Sequence, residues 1–138
     1  MKPPEVIKEE FTREWVRKAE IDFKTAGHLC QSSPDFAEGA AFHSQQAAEK
    51  YLKAFLVWHQ IEFHKTHDIE ALLRLAEKVD DKLPEILREA VILTPYGVDY
   101  RYPGEYPEVT IADAKRALRL ADCVRAEVRG RLPGDTLE

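Results

Sequence analysis

Apolar and polar positions alternate with a helical period along nearly the whole chain, and the clearest stretch is Phe36–Ile61. Ala37, Ala41, Ser44, Ala48, Leu52 and Phe55 recur at steps of three and four, and Ala40, Ala47, Tyr51 and Trp58 widen the stripe to a core-facing arc. No proline interrupts the run, and Asp35 stands at its start as an expected N-cap. Small residues come first and bulky ones later. A neighbouring helix can therefore approach closely at the Ala40 end and be gripped by aromatics at the Trp58 end.

The remaining elements follow from the same pattern. Met1–Phe11 is polar with Pro3 and Pro4 and is expected to be a flexible lead. Thr12 then caps a predicted helix whose Trp15, Ala19, Phe23, Ala26 and Cys30 share a face. Asp22 borders that face, and a carboxylate in such a place needs an Arg or Lys from another helix if it is buried. Beyond Ile61, Thr66 and Asp68 are capping candidates for a helix marked by Ile69, Leu72, Leu73, Ala76 and Val79. Pro84 suits the first turn of a fourth, short helix carrying Ile86, Leu87, Ala90, Val91 and Leu93 until Pro95 ends it. Thr110, with Asp113 three residues on, opens a last helix seamed by Ile111, Ala114, Leu118, Ala121, Val124 and Val128. No strand is needed. The pattern predicts an all-α fold, an antiparallel up-and-down four-helix bundle with one additional short helix, over residues 12–132, with residues 133–138 a fraying tail.

Between the last two helices, residues 95–109 have no helical period, three prolines and four of the chain's five tyrosines. An aperiodic loop of this length in a compact domain is usually functional or disordered, and so many aromatics favour a packed one.

Composition narrows the function classes. A chain of 138 residues suits one domain, and a formal net charge of -5 argues against sequence-blind, charge-driven nucleic-acid binding. Cys30 and Cys123 form no CxxC, and no apolar run is long enough for a signal peptide or a bilayer span, so a cytoplasmic protein without membrane attachment is expected. His59, His64, His67 and Asp68 lie close in sequence but match no metal-ligand spacing, and no metal or cofactor is expected.

Two places carry candidate chemistry. His43, Gln46, Lys50 and Lys53 fall on one stripe of the central helix, beside Glu49, and such a row either holds a phosphate or a partner's acidic surface, or is a solvated face with a weak Glu49–Lys53 pair. Arg101 is the one basic residue between Arg88 and Lys115, where its guanidinium either clamps a phosphate while Tyr100 or Tyr102 stacks on a base, or ties the loop to Asp22 or Asp99. The last helix holds six basic residues from Lys115 to Arg131 against Asp122 and Glu127, as a solvated face or a nucleic-acid contact.

In order along the chain, Ala19-Glu20-Ile21-Asp22, AAFHSQQAAEKYLKAFL, Lys65-Thr66-His67-Asp68-Ile69 and Tyr100-Arg101-Tyr102-Pro103 resemble the HEPN domain (higher eukaryotes and prokaryotes nucleotide-binding) over about Thr12–Leu132. The resemblance implies an antiparallel helical bundle that forms a homodimer and works with a separate minimal nucleotidyltransferase as a toxin–antitoxin-like pair, with nucleotide or RNA as ligand. It also implies that loop tyrosines accept AMP from that partner. Many members are metal-independent ribonucleases through an Arg followed by a His four to six residues later. After Arg101 no His follows in that interval, and no other Arg here has one. Tyr102 and Tyr106 are the remaining proton donors, and a phenol with an ordinary pKa near ~10 is a poor base at neutral pH. The resemblance therefore supports binding ahead of cleavage, with a ribonuclease toxin built on Arg101 and a purely structural dimer module as the alternatives.

Overall fold

The computed structural model describes residues 2–98 and 103–137. Within them the chain is helical and contains no strand: α1 (Pro4–Ser32), α2 (Ala37–Trp58), α3 (Ile69–Ala76), α4 (Leu83–Ile86) and α5 (Ile111–Arg129), with 3-10 segments at Pro34–Phe36, Arg88–Gly97 and Gly134–Thr136. The core gathers on α2, where Tyr51, Leu52, Phe55 and Leu56 are buried to 1% exposure or less. Pairings of Lys8 with Trp58, Glu20 with Tyr51 and Asp22 with His43 fix α1 and α2 as antiparallel. α5 runs opposite to α1, since Arg125 meets Glu20 near the middle of α1 while Ala114 packs with Cys30 near its end.

Small side chains explain how closely the helices approach. Cys30, Ala37, Ala40 and Ala114 form a separate small-residue cluster at the N-terminal end of α2, and a Cβ on Gly39 would come 3.3 Å from Leu29. The large side chains fill the other end, as the order of residues along α2 requires.

Several boundaries differ from the sequence reading. Residues 4–11 are not a loose lead but the first turns of α1, because Pro4 occupies the first helical position, which needs no amide donor. Thr12 is therefore not a cap. It is buried inside α1, and its hydroxyl donates to the Lys8 carbonyl at 2.8 Å. Of the residues expected on the buried face of α1, Ala19, Ala26 and Cys30 are buried; Trp15 and Phe23 are partly buried, and Thr12, Val16 and Asp22 join the buried set. Asp35 does not cap α2; Ser33 instead accepts the Asp35 amide and starts the 3-10 turn. The segment predicted as one helix from Pro84 to Pro95 is a single α-turn followed by 3-10 structure through Gly97, consistent with a proline at each end. The C-terminal tail folds back, burying Thr136 and packing Leu137 on the core. Thr110 and Asp113 do form a reciprocal capping box.

Candidate functional site on the second helix

Gln45 lies in the middle of the α2 apolar stripe and is fully buried. A buried amide must find partners, and Gln45 finds them on three sides. Its Nε2 donates to Glu49 Oε1 at 3.1 Å and to the His67 carbonyl at 3.0 Å, and its Oε1 accepts from Gln46 Nε2 at 2.7 Å. Glu49 is buried with it. Glu49 Oε2 accepts from Lys53 Nζ at 2.8 Å, and Oε1 accepts from His67 Nδ1 at 2.8 Å.

This arrangement corrects the reading of Glu49 and Lys53 as an exposed pair. Their side chains are 4% and 6% exposed because Trp15 of α1 and Phe63 close over Lys53. The two rings meet edge to face at 6.4 Å, and the ammonium lies 5.5 Å from the Trp15 ring and 5.7 Å from that of Phe63. Aromatic faces replace part of the water that the cation gives up.

One helical turn away the same pattern recurs toward α1. Asp22 is buried and accepts from Lys50 Nζ on Oδ2 and from His43 Nδ1 at 2.8 Å on Oδ1. Each of two carboxylates thus holds one lysine and one histidine. A carboxylate only accepts, so Nδ1 of each imidazole carries the proton and the free lone pair of the neutral ring is on Nε2. The His67 side chain is 69% exposed and that of His43 31%. Between them Gln46 and Lys50 are half-buried, so the strip is open to solvent from His43 to His67 and closed only at Lys53.

The tyrosine-rich loop leaves from this strip. Gly97 ends the 3-10 segment against the Gln45 amide, and the capping box at Thr110 fixes where the chain re-enters the bundle. Arg101, Tyr100, Tyr102 and Asp99 lie outside the described residues. Tyr106 is described and 40% exposed. Asp68 caps α3, its Oδ1 accepting the Glu70 amide at 3.0 Å. His59 stacks near Phe55 at 4.5 Å, where burial, followed by the charge of Lys8, lowers its pKa. His59, His64 and His67 thus go to different surroundings, and among the described residues no three His, Cys, Asp or Glu side chains converge. No helix among the described residues is long and apolar enough to cross a membrane.

A third polar cluster lies between α1, α2 and α5. Glu20 accepts from the Tyr51 hydroxyl and from Arg125, whose guanidinium also stacks 4.9 Å from the Phe23 ring. Burial pushes the Glu20 carboxyl up, but the bonds from Arg125 and Tyr51 and the charges of Arg125 and Arg129 outweigh it, leaving the pKa lowered. Burial and the Glu20 bond together push the Tyr51 phenol up to about 12. Arg131 is likewise tied to Asp80 at 2.6 Å. Two of the six basic residues in the last stretch, Arg125 and Arg131, are thus anchors into the bundle rather than parts of a free cationic face.

Periodicity and spacing do not single out Gln45, Glu49, His67 and the Glu20 cluster as connected sites. One signal is present, since Gln45 occupies a core position between Ala41 and Ala48 on the apolar stripe.

The model of the HEPN domain family matches residues 12–131. Among solved structures, TT1696 from Thermus thermophilus is similar at 30% sequence identity and a TM-score of 0.73, covering 88% of this chain and 98% of that one. ST0689, an archaeal HEPN homologue, is similar at 28% identity and a TM-score of 0.70, covering 87% of this chain and 96% of its own. Among curated proteins none matches.

Proposed function

This chain belongs to the HEPN domain family, and we propose that it is the nucleotide- or RNA-recognising component of a two-component, toxin–antitoxin-like system, acting as a cytoplasmic homodimer with a separate minimal nucleotidyltransferase. The observation that supports this reading is the open strip of His43, Gln46, Lys50 and His67 at the root of the loop that carries Arg101. A phosphate placed on the strip meets the Lys50 ammonium and, when the rings are protonated, an Nε2–H donor from each of His43 and His67, whose rings are already oriented by Asp22 and Glu49, so little side-chain freedom remains to be lost on binding. Arg101 contributes a guanidinium fork, with Tyr100 and Tyr102 as stacking faces for bases. The test is fluorescence anisotropy with a labelled single-stranded RNA and with labelled nucleotides at fixed ionic strength. Lys50→Ala and Arg101→Ala should each weaken binding about tenfold, in line with the loss of one charge-assisted phosphate contact. Normal binding by Arg101→Ala would remove the loop from the site.

A second reading, RNA cleavage without metal, is favoured by one specific feature. His67 presents an exposed imidazole held by a buried carboxylate, as a proton-transfer group requires, although no His follows Arg101. Growth arrest and RNA decay on expression, lost in His67→Ala and in Arg101→Ala, would select it. Neither effect is expected from a module that only binds.

A further inference from the structure

An open cavity of about 370 Å³ lies between α1, α5 and the folded-back C-terminus, beyond the Glu20 cluster and on a different face from the α2 strip. Its apolar part is made by Val16, Ile21 and Leu137. Val16 is 2% exposed and forms the floor, while Ile21 is 52% exposed and stands on the rim. Leu137 is held in place because Arg13 Nε donates to the Asp135 carbonyl at 3.1 Å and Thr136 is buried with its hydroxyl on the Pro133 carbonyl.

The charged part of the lining is unbalanced. Among the described residues, Arg17, Lys24 and Arg129 face one carboxylate, Glu20. Glu20 is already committed to Arg125 and the Tyr51 hydroxyl. Arg129 reaches Glu20 only at 3.5 Å and the Tyr51 oxygen at 3.3 Å, so most of its five donors remain unused. Lys24 makes no hydrogen bond or ion pair among the described residues. Arg17 is held by Glu14, which does not line the cavity. Among the described residues two cations, Lys24 and Arg129, are therefore in excess beside an apolar floor.

We propose that this cavity is a second ligand site, taking an organic phosphate monoester whose dianion bridges Lys24 and Arg129 and whose apolar group rests on Val16, Ile21 and Leu137. A dianion matches the two surplus charges, where a carboxylate would satisfy one. The cavity volume falls in the range of small-molecule sites, roughly 300–1,000 Å³. None of these residues belongs to the α2 strip, so the two sites stand or fall separately.

The test is a titration of the full, isotope-labelled chain with phenyl phosphate and with inorganic phosphate, followed by backbone amide shifts. Saturable shifts at residues 17–24 and 129–137 are expected, apart from any on the α2 strip, with phenyl phosphate bound about tenfold more tightly than inorganic phosphate because its ring covers the apolar floor. Lys24→Ala, at an exposed and unpartnered position, should weaken both ligands at least about threefold. Ile21→Ser should remove the preference for the phenyl ester while leaving inorganic phosphate unchanged, and Lys50→Ala should leave the titrations read at residues 17–24 as they are. The proposal is overturned by shifts that fail to saturate at roughly 10 mM, by equal affinity for the two probes, or by a Lys24→Ala titration indistinguishable from that of the parent chain.

Discussion

Gly97 lies so close to Gln45 that a Cβ on it would stand 2.8 Å from the Gln45 Cδ and 2.9 Å from both amide heteroatoms. The contact joins the start of the tyrosine-rich loop to the hydrogen-bonded chain that runs through Gln45 to Glu49, Lys53 and His67. Gln45 has no room to swing aside, because it is fully buried and its amide serves Glu49, Gln46 and the His67 carbonyl at once.

Gly97→Ala should therefore destabilise the protein by about 1–3 kcal/mol, the usual cost of forcing a methyl into a packed interior. Urea unfolding measures it. The change should also displace the imidazole resonances of His67, since the amide that must move is bonded to its carbonyl. A stability within about 0.5 kcal/mol of the parent, a typical neutral range, would show that Gln45 is free to relax.

Lys53 is the lysine whose removal should cost most. Its loss leaves Glu49 ionised in a site 4% exposed, with only His67 and Gln45 as partners. Breaking a buried pair on one side typically costs about 3–5 kcal/mol, whereas replacing both members by apolar groups of similar size is often neutral. Lys53→Met alone should fall in the first range, and Lys53→Met with Glu49→Leu should recover a large part of the loss. A double-mutant cycle in urea reads the coupling directly; additivity of the two changes would contradict the buried-pair picture.

The same two residues show where reading the sequence succeeds and where it stops. Periodicity locates α2, α3 and α5 because each has a continuous apolar seam, and the Thr110 capping box is a local pattern that needs no tertiary context. Asp22 beside an apolar face predicts a cation from another helix, and the structure places Lys50 there together with His43. Lys53 is not separable from Lys50 on these grounds, since both lie on one stripe of a helical wheel. Only the closure of Trp15 over Phe63, a contact between segments nearly fifty residues apart, buries one and leaves the other half-open.

Thr110→Ala should lower stability by about 1 kcal/mol, the usual worth of an N-cap hydroxyl. Thr110 accepts the Asp113 amide at 3.0 Å and its own amide is accepted by Asp113 Oδ2 at 3.0 Å. Thr110→Ser keeps both bonds and should be close to neutral in thermal unfolding. Because this box fixes the point where the tyrosine-rich loop re-enters the bundle, the alanine change should also quicken amide exchange in the first turn of α5.

The Glu20–Tyr51 pair should give stability a limit at each end of the pH scale, with opposite signs. Tyr51 has its pKa pushed up to about 12 in the folded chain, so the unfolded phenol ionises first. The contribution, about 2–3 kcal/mol, is fully present below pH ~10 and is lost as pH rises toward 12. Glu20 has its pKa lowered in the fold, so its contribution is present above the ordinary carboxylate range and disappears as pH falls through the folded value. Tyr51→Phe should flatten the alkaline limb of a stability–pH curve, and Glu20→Gln should cost stability near neutrality but progressively less in acid. Urea unfolding from pH 3 to 11 checks both, with ultraviolet difference spectra following the phenol; a Tyr51→Phe curve parallel to that of the parent chain up to pH 11 would show that the phenol does not hold its proton in the fold.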